Sequence, residues 1–241
     1  MRFSQKILAL FILLAILGVG VQVFRRSQSD KTGQSDSDPP GTAAKTFDKT
    51  KHSTNQAGSL WWVVNKKRPL PAGYAPSDLT TANIPVRTGG DESKVSKKVV
   101  PDLEALVTAA KKEKLNLLLV SGYRSYSLQV MVYDQNVRQL GQAEADKVSA
   151  KPGTSEHQTG LALDLGAASR TCELEECFGA TPEGKWIAAH AHQYGFTIRY
   201  LKGKQAITGY NYEPWHLRFV GKELATELHR TNQTMEEFFA L

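Results

Sequence analysis

The chain has 241 residues, with 30 Lys plus Arg against 24 Asp plus Glu and a net charge of +6. That length can bury one sizeable core, or one domain with appendages. The basic residues are scattered among acids with no basic stripe interleaved with aromatics, which excludes nucleic acid as a partner and leaves a solvated surface suited to anionic surroundings.

Residues 7–24 are almost wholly apolar, preceded by Arg2 and Lys6 and followed by Arg25 and Arg26. This is the charge arrangement of an export signal or an uncleaved anchor. No small-x-small cleavage site is evident, so residues 1–26 are expected to form an apolar helix serving as a signal-anchor, with a signal peptide as the alternative. The rest of the chain then lies outside the membrane at the cell surface, or is secreted if cleaved. Residues 27–58 are rich in Ser, Thr, Asp, Lys, Gln and Gly, with Pro39 and Pro40 adjacent. They are expected to form a disordered linker with an r.m.s. reach of roughly 30 Å.

The folded domain is expected over residues 59–241, opening on Trp61, Trp62 and a proline-punctuated arm at 65–71. Helical spacing follows at 101–115, with Leu103, Leu106, Val107 and Ala110 on one side. Residues 117–120 read as a buried strand and 121–125 as a turn. Helix returns at 126–140, with 143–150 continuing it or forming a short second helix. Strands are expected at 161–165, 196–200 and 215–220, with a helix at 182–194 and helical character over the last thirty or so residues. This irregular alternation gives an α+β fold with a small, mainly antiparallel sheet flanked by helices. Cys172 and Cys177 enclose only four residues; in an exported chain they are expected to form a disulfide, since C-x4-C is not a usual zinc spacing.

The residues with the clearest chemistry lie at 155–166, Ser-Glu-His-Gln-Thr-Gly-Leu-Ala-Leu-Asp-Leu-Gly. If the chain doubles back at Thr159 and Gly160, His157 and Asp164 can converge. A hydrolytic zinc usually takes three protein ligands and keeps one position open. His216 is the best third candidate, and Glu213, three residues before it, could serve as general base. His52, His190, His192 and His229 lack such company. Helix-borne H-E-x-x-H, Ser-x-x-Lys and Gly-x-Ser-x-Gly are all missing, so Ser155 reads as a turn or substrate-contact residue rather than a nucleophile. Arg124, directly after a buried strand, is placed either to grip a carboxylate in a cleft or to form a structural salt bridge.

Three segments carry a resemblance: Ser-Gly-Tyr-Arg-Ser at 121–125, Ser-Glu-His-Gln-Thr-Gly-Leu-Ala-Leu-Asp at 155–164 and Glu-Pro-Trp-His-Leu-Arg at 213–218. In this order they closely resemble the VanY-type D-alanyl-D-alanine carboxypeptidases, zinc peptidases of the lysostaphin, D-Ala-D-Ala peptidase and Hedgehog fold group. The likeness covers about residues 60–228. It implies Zn2+ held by His157, Asp164 and His216, Glu213 as catalytic base, and Arg124 as the group that binds and polarises substrate. Gln129 and Ser155 match positions lining the substrate pocket. The implied substrate is a peptidoglycan stem peptide ending in D-Ala-D-Ala, and the expected form is a monomer. A wall-peptide dipeptidase or endopeptidase, or a metal-bound wall-binding module without turnover, stand as alternatives. The anchor, the linker and the Cys172–Cys177 loop fall outside what the resemblance informs.

Overall fold

The computed structural model describes residues 46–241; the apolar run at 7–24 and most of the expected linker lie outside the described residues. The folded unit begins at Phe47, earlier than the expected boundary at 59. Residues 47–58 owe their order to aromatic packing: Phe47 meets Trp61 and Phe238 at ring-centroid distances of 5.5 and 5.2 Å, and His52 meets Trp61 at 4.9 Å. The polar composition that suggested a linker concealed these few anchors.

The first strands, β1 (Leu79–Thr81) and β2 (Lys94–Ser96), form a small antiparallel pair that the sequence pattern did not reveal. Helix α1 (Val100–Lys112) starts with Pro101 in its first turn and buries Leu103, Leu106, Val107 and Ala110, the i, i+3, i+4, i+7 stripe of an amphipathic helix. Strand β3 (Leu117–Ser121) leads into α2 (Tyr126–Leu140), whose N-cap Ser125 accepts a hydrogen bond from the Leu128 amide, and then into α3 (Gln142–Val148). After β4 (Ala162–Ala167), the hydroxyl of Thr181 caps α4 (Pro182–His190), which passes into a 3-10 turn at Ala191–Tyr194 instead of continuing as one helix. Strand β5 (Phe196–Tyr200), a short α5 (Gln205–Thr208) and β6 (Glu213–Phe219) follow. The C-terminal stretch is two helices, α6 (Lys222–Thr231) and α7 (Met235–Phe239), broken at Asn232 in the left-handed conformation and restarted by a Thr234–Glu237 capping box.

The central sheet is antiparallel throughout, in the order β3–β4–β6–β5. Its strands alternate, and the alternation decides everything about the site. Leu163 and Leu165 of β4, Leu217 and Phe219 of β6 and Phe196 of β5 enter one core with α1 and α4. The residues between them, Asp164, His216, Arg218 and Arg199, belong to the other face and are nevertheless buried. A second apolar cluster, built from Trp61, Val63 and the C-terminal helices, lies beside the sheet's end. Arg218 donates to the carbonyls of Leu60 and Trp62, and Trp61 Nε1 donates to the Val220 carbonyl, so the N-terminal arm is latched onto the end of β6.

Leu163 is fully buried on the core face, next to Asp164 on the opposite one. Leu163→Ala is expected to cost about 2–5 kcal/mol through lost burial and a residual cavity, read as a fall in the urea midpoint at unchanged slope.

Candidate active site

The register of β4 against β6 sets Asp164 directly opposite His216. Opposed residues on one face bring their Cβ atoms within about 5 Å, close enough for the side chains to share one ligand. Glu213 and His216 are an odd number of positions apart, so a regular strand would send them to opposite faces. Between the pairs Ile198–Leu217 and Tyr200–Glu213, β5 advances two residues while β6 advances four. This irregularity re-aims the strand and lets both side chains line the same cavity.

His157 arrives from the 3-10 turn Glu156–Thr159, closed by Gly160 at φ +68°. A Cβ on Gly160 would sit 3.0 Å from Leu79 and 3.2 Å from the Ser96 amide, so that turn needs glycine for both conformation and space. The imidazole is fixed from behind by Nδ1, which lies 2.7 Å from the Gly122 carbonyl. A carbonyl only accepts, so Nδ1 carries the proton and Nε2 keeps its lone pair. Gly122 itself is packed so closely that a Cβ would come 2.3 Å from the Lys94 carbonyl.

His157 Nε2 lies 3.4 Å from Asp164 Oδ2, and His216 Nδ1 lies 3.2 Å from Asp164 Oδ1. These distances run to different oxygens of the one carboxylate; one donor atom from each of the three residues lies within 4.8 Å of the others, close enough for a single cation to be shared. Asp164 Oδ1 has no hydrogen-bond partner among the described residues although it is buried. An orphaned carboxylate oxygen beside two imidazoles fits a bound cation, and the chemistry of the donor set agrees. Glu213 Oε2 sits 3.8 Å from His216 Nδ1, beside this centre and outside the group of mutually close donors.

The electrostatics follow from burial. Burial raises Asp164, but His157 and His216 outweigh it and hold the carboxyl well below its ordinary range. Glu213 is pushed up to about 8 by burial, with Asp164 adding to the effect against His216 and Arg124. His157 is lowered by burial, while His216 is raised to about 9 because Asp164 and Glu156 overcome its desolvation.

The cavity above this centre has a volume of about 520 Å³. Arg124 and Ser155 line it, as the sequence suggested; Gln129 does not. Fully buried, Gln129 braces Arg124 instead: its Oε1 accepts from Arg124 Nη1 at 3.1 Å and its Nε2 donates to the Ala150 carbonyl at 2.7 Å. Arg124 Nη2 donates to Ser121 Oγ at 2.9 Å and lies 3.8 Å from Asp164 Oδ2. The two readings of this arginine therefore coexist, since it borders a carboxylate and faces the cavity. Cys172 and Cys177 are joined, with Cα atoms 5.5 Å apart, and the loop between them brings Leu174, Glu175 and Glu176 to the cavity wall. His192 stacks on His229 at 3.8 Å, away from the metal-type cluster.

Three contributors escaped the sequence reading. Tyr200 and Tyr210 line the cavity, the former with its ring 4.9 Å from that of His216. Glu156, adjacent to His157, is wholly buried: its Oε1 accepts from Arg199 Nε at 2.8 Å and Arg218 Nη1 at 2.9 Å. Arg199 also forks onto Glu236 of α7, at 2.8 and 2.6 Å. The signal for Glu156 was its place inside the 155–164 segment, where an acid beside a histidine reads equally well as a helix-start residue.

An antiparallel sheet that converges a His–Asp–His set, an adjacent glutamate and an arginine on one cleft is an arrangement suited to hydrolysis at a bound metal. A family model described as VanY, D-alanyl-D-alanine carboxypeptidase, matches residues 92–222. The chain belongs to this carboxypeptidase family. It is 46% identical over 182 residues to a putative carboxypeptidase, YodJ, of Bacillus subtilis (strain 168), covering 73% of this chain and 66% of that protein, just under two thirds of its length. Among solved structures, the LD-carboxypeptidase LdcB shares 43% identity at a TM-score of 0.71, over 76% of this chain and 86% of that one. A vancomycin-resistance D,D-pentapeptidase VanY in complex with Zn(II) shares 30% identity at a TM-score of 0.63, over 73% and 97% respectively.

The buried carboxylates set an acid limit. Burial opposes ionisation of Glu156 and Glu236, but the arginines prevail and hold both below their ordinary value of 4.5. A depressed carboxylate contributes stability above its unfolded pKa and loses it as pH falls toward the folded one. Unfolding free energy of the metal-free protein is therefore expected to fall as pH drops below about 4.5, with a shallower decline in Glu236→Gln, as urea titrations at stepped pH would register.

Proposed function

We propose that this chain is a zinc-dependent carboxypeptidase that removes the terminal D-alanine from peptidoglycan stem peptides. The observation that carries the reading is the convergence of His157, Asp164 and His216 donors beside Glu213 at the floor of a cleft. The family membership and the Zn(II) complex of the related VanY support it.

His157, Asp164 and His216 would hold the ion. Bound there, zinc supplies a Lewis acid that polarises a carbonyl and acidifies water. Glu213 takes the proton of the attacking water and returns it to the departing amine. Its carboxylate, buried at the cavity wall beside His216, is placed for both halves of that shuttle. Arg124, braced by Gln129 and Ser121, keeps a fixed cation at the cavity wall for the developing oxyanion or the substrate's terminal carboxylate. We place this domain outside the membrane, tethered by the apolar residues 7–24. The bonded Cys172–Cys177 pair suits an oxidising compartment and supports that placement.

A second reading concerns the bond cut. The neighbour at 43% identity is described as an LD-carboxypeptidase, that at 30% as a D,D-pentapeptidase. Either removes a terminal residue with the same machinery; what differs is the configuration of the residue before it.

Two measurements test this. Purified protein incubated with a pentapeptide stem ending in D-Ala-D-Ala is expected to release D-alanine, and a chelator to abolish release. Glu213→Gln is expected to keep zinc while losing at least 100-fold in kcat, the scale general base catalysis supplies; near-normal turnover would remove Glu213 from its role, and stem binding without release by the wild type would mark a binding module. Mass spectrometry of pentapeptide and tetrapeptide stems incubated in parallel separates the two specificities, the D,D reading predicting that the tetrapeptide accumulates and stays intact.

A further inference from the structure

His216 has two ring nitrogens and only one can serve the ion. Nδ1 faces Asp164 and Glu213; Nε2, on the far side of the ring, is buried and has no hydrogen-bond partner among the described residues. The atom nearest it among the charged groups is Glu156 Oε2, 3.6 Å away and equally buried and unpartnered. Glu156 Oε1, by contrast, is doubly occupied by Arg199 and Arg218. One oxygen of a single carboxylate is thus saturated while the other faces an imidazole N–H with the same deficit. An adjustment of about 0.7 Å would bring that pair to ordinary hydrogen-bond length.

The network does not end there. Arg199 Nη1 and Nη2 make two bonds to Glu236, at 2.8 and 2.6 Å, and Asn65 Nδ2 donates to the same carboxylate at 2.9 Å. Two guanidinium groups face two carboxylates, so the network is balanced without Oε2. The family match covers 92–222, leaving Asn65 and Glu236 outside it on either side.

We propose that Glu156 is a positioning residue that accepts the Nε2–H of His216 and so fixes the ring with Nδ1 toward the metal, and that Glu236 of the terminal helix supports it through Arg199. The inference rests on the zinc reading above. A carboxylate behind a ligating histidine fixes the ring's tautomer and orientation and raises its basicity, and its loss typically costs about 10- to 100-fold in metal affinity. Here the carboxylate is itself anchored by a residue more than seventy positions further along the chain.

The test uses the full chain and zinc alone. Zinc affinity is measured by chelator competition for wild type, Glu156→Gln and Glu236→Gln, the cobalt-substituted forms are compared by their visible spectra, and thermal unfolding of the metal-free forms reports folding. Glu156→Gln is expected to bind zinc about 10- to 100-fold more weakly, with a shifted cobalt band; Glu236→Gln is expected to weaken zinc in the same direction by less. If Glu156→Gln does not fold, Glu236→Gln decides. Wild-type zinc affinity and an unchanged cobalt spectrum in a folded variant, even one of lowered stability, would reduce Glu156 to a structural ion pair and overturn the proposal. A wild type that takes up no zinc would overturn the zinc reading and this inference together.

Discussion

The pairing of Asp164 with His216 across β4 and β6 is the constraint on which the rest depends. It places a carboxylate and an imidazole in the interior, where an unmatched charge is costly and a matched one stabilises little. The surrounding structure reads as a set of responses to that cost. His157 is pinned by the Gly122 carbonyl, and Arg124 by Gln129 and Ser121. Arg199 and Arg218 are at most 1% exposed and lie against Glu156. Such a constellation stabilises the fold little; its donor set is one that could hold a cation.

The two faces of the sheet divide the work. Leucines and phenylalanines on one face join α1 and α4 in a conventional core, which fixes the strands rigidly. Rigid strands then hold the polar face to the tolerance that ligand donors require. The irregularity in β6 is the one departure from strict alternation that the chemistry needs, since it brings Glu213 round to the face of His216.

Much of this was legible beforehand because the motif segments coincide with regular elements. Helix α2 spans 126–140 as its pattern indicated, and β5 spans 196–200. Where the pattern misled, a tertiary contact had overridden composition. Residues 47–58 look like a linker yet are held by Phe47 and His52 against Trp61. Strand β6 starts at Glu213, not Trp215, because its irregular pairing with β5 continues past Pro214. Gln129 could be assigned a place near the site but not its part there, since a buried amide that braces an arginine and one that meets a ligand have the same sequence signature. Glu156 was hidden for a similar reason: no local pattern announces partners 43, 62 and 60 residues away, as Arg199, Arg218 and His216 are.

The buried polar centre and much of the cavity wall around it are built from different parts of this molecule. The His–Asp–His set, Glu213 and Arg124 belong to the sheet and the turns at its edge, whereas other walls of the cavity come from α2, from the segment after α3 and from the Cys172–Cys177 loop. Apart from Ser155, those walls lie outside the three motifs. A sheet-borne centre can therefore stay fixed while its walls vary, which gives a physical reason for one fold to be shared by relatives described with D,D and with LD specificity. It follows that the motifs argue for a shared centre, while the loop held between Cys172 and Cys177 contributes wall outside them.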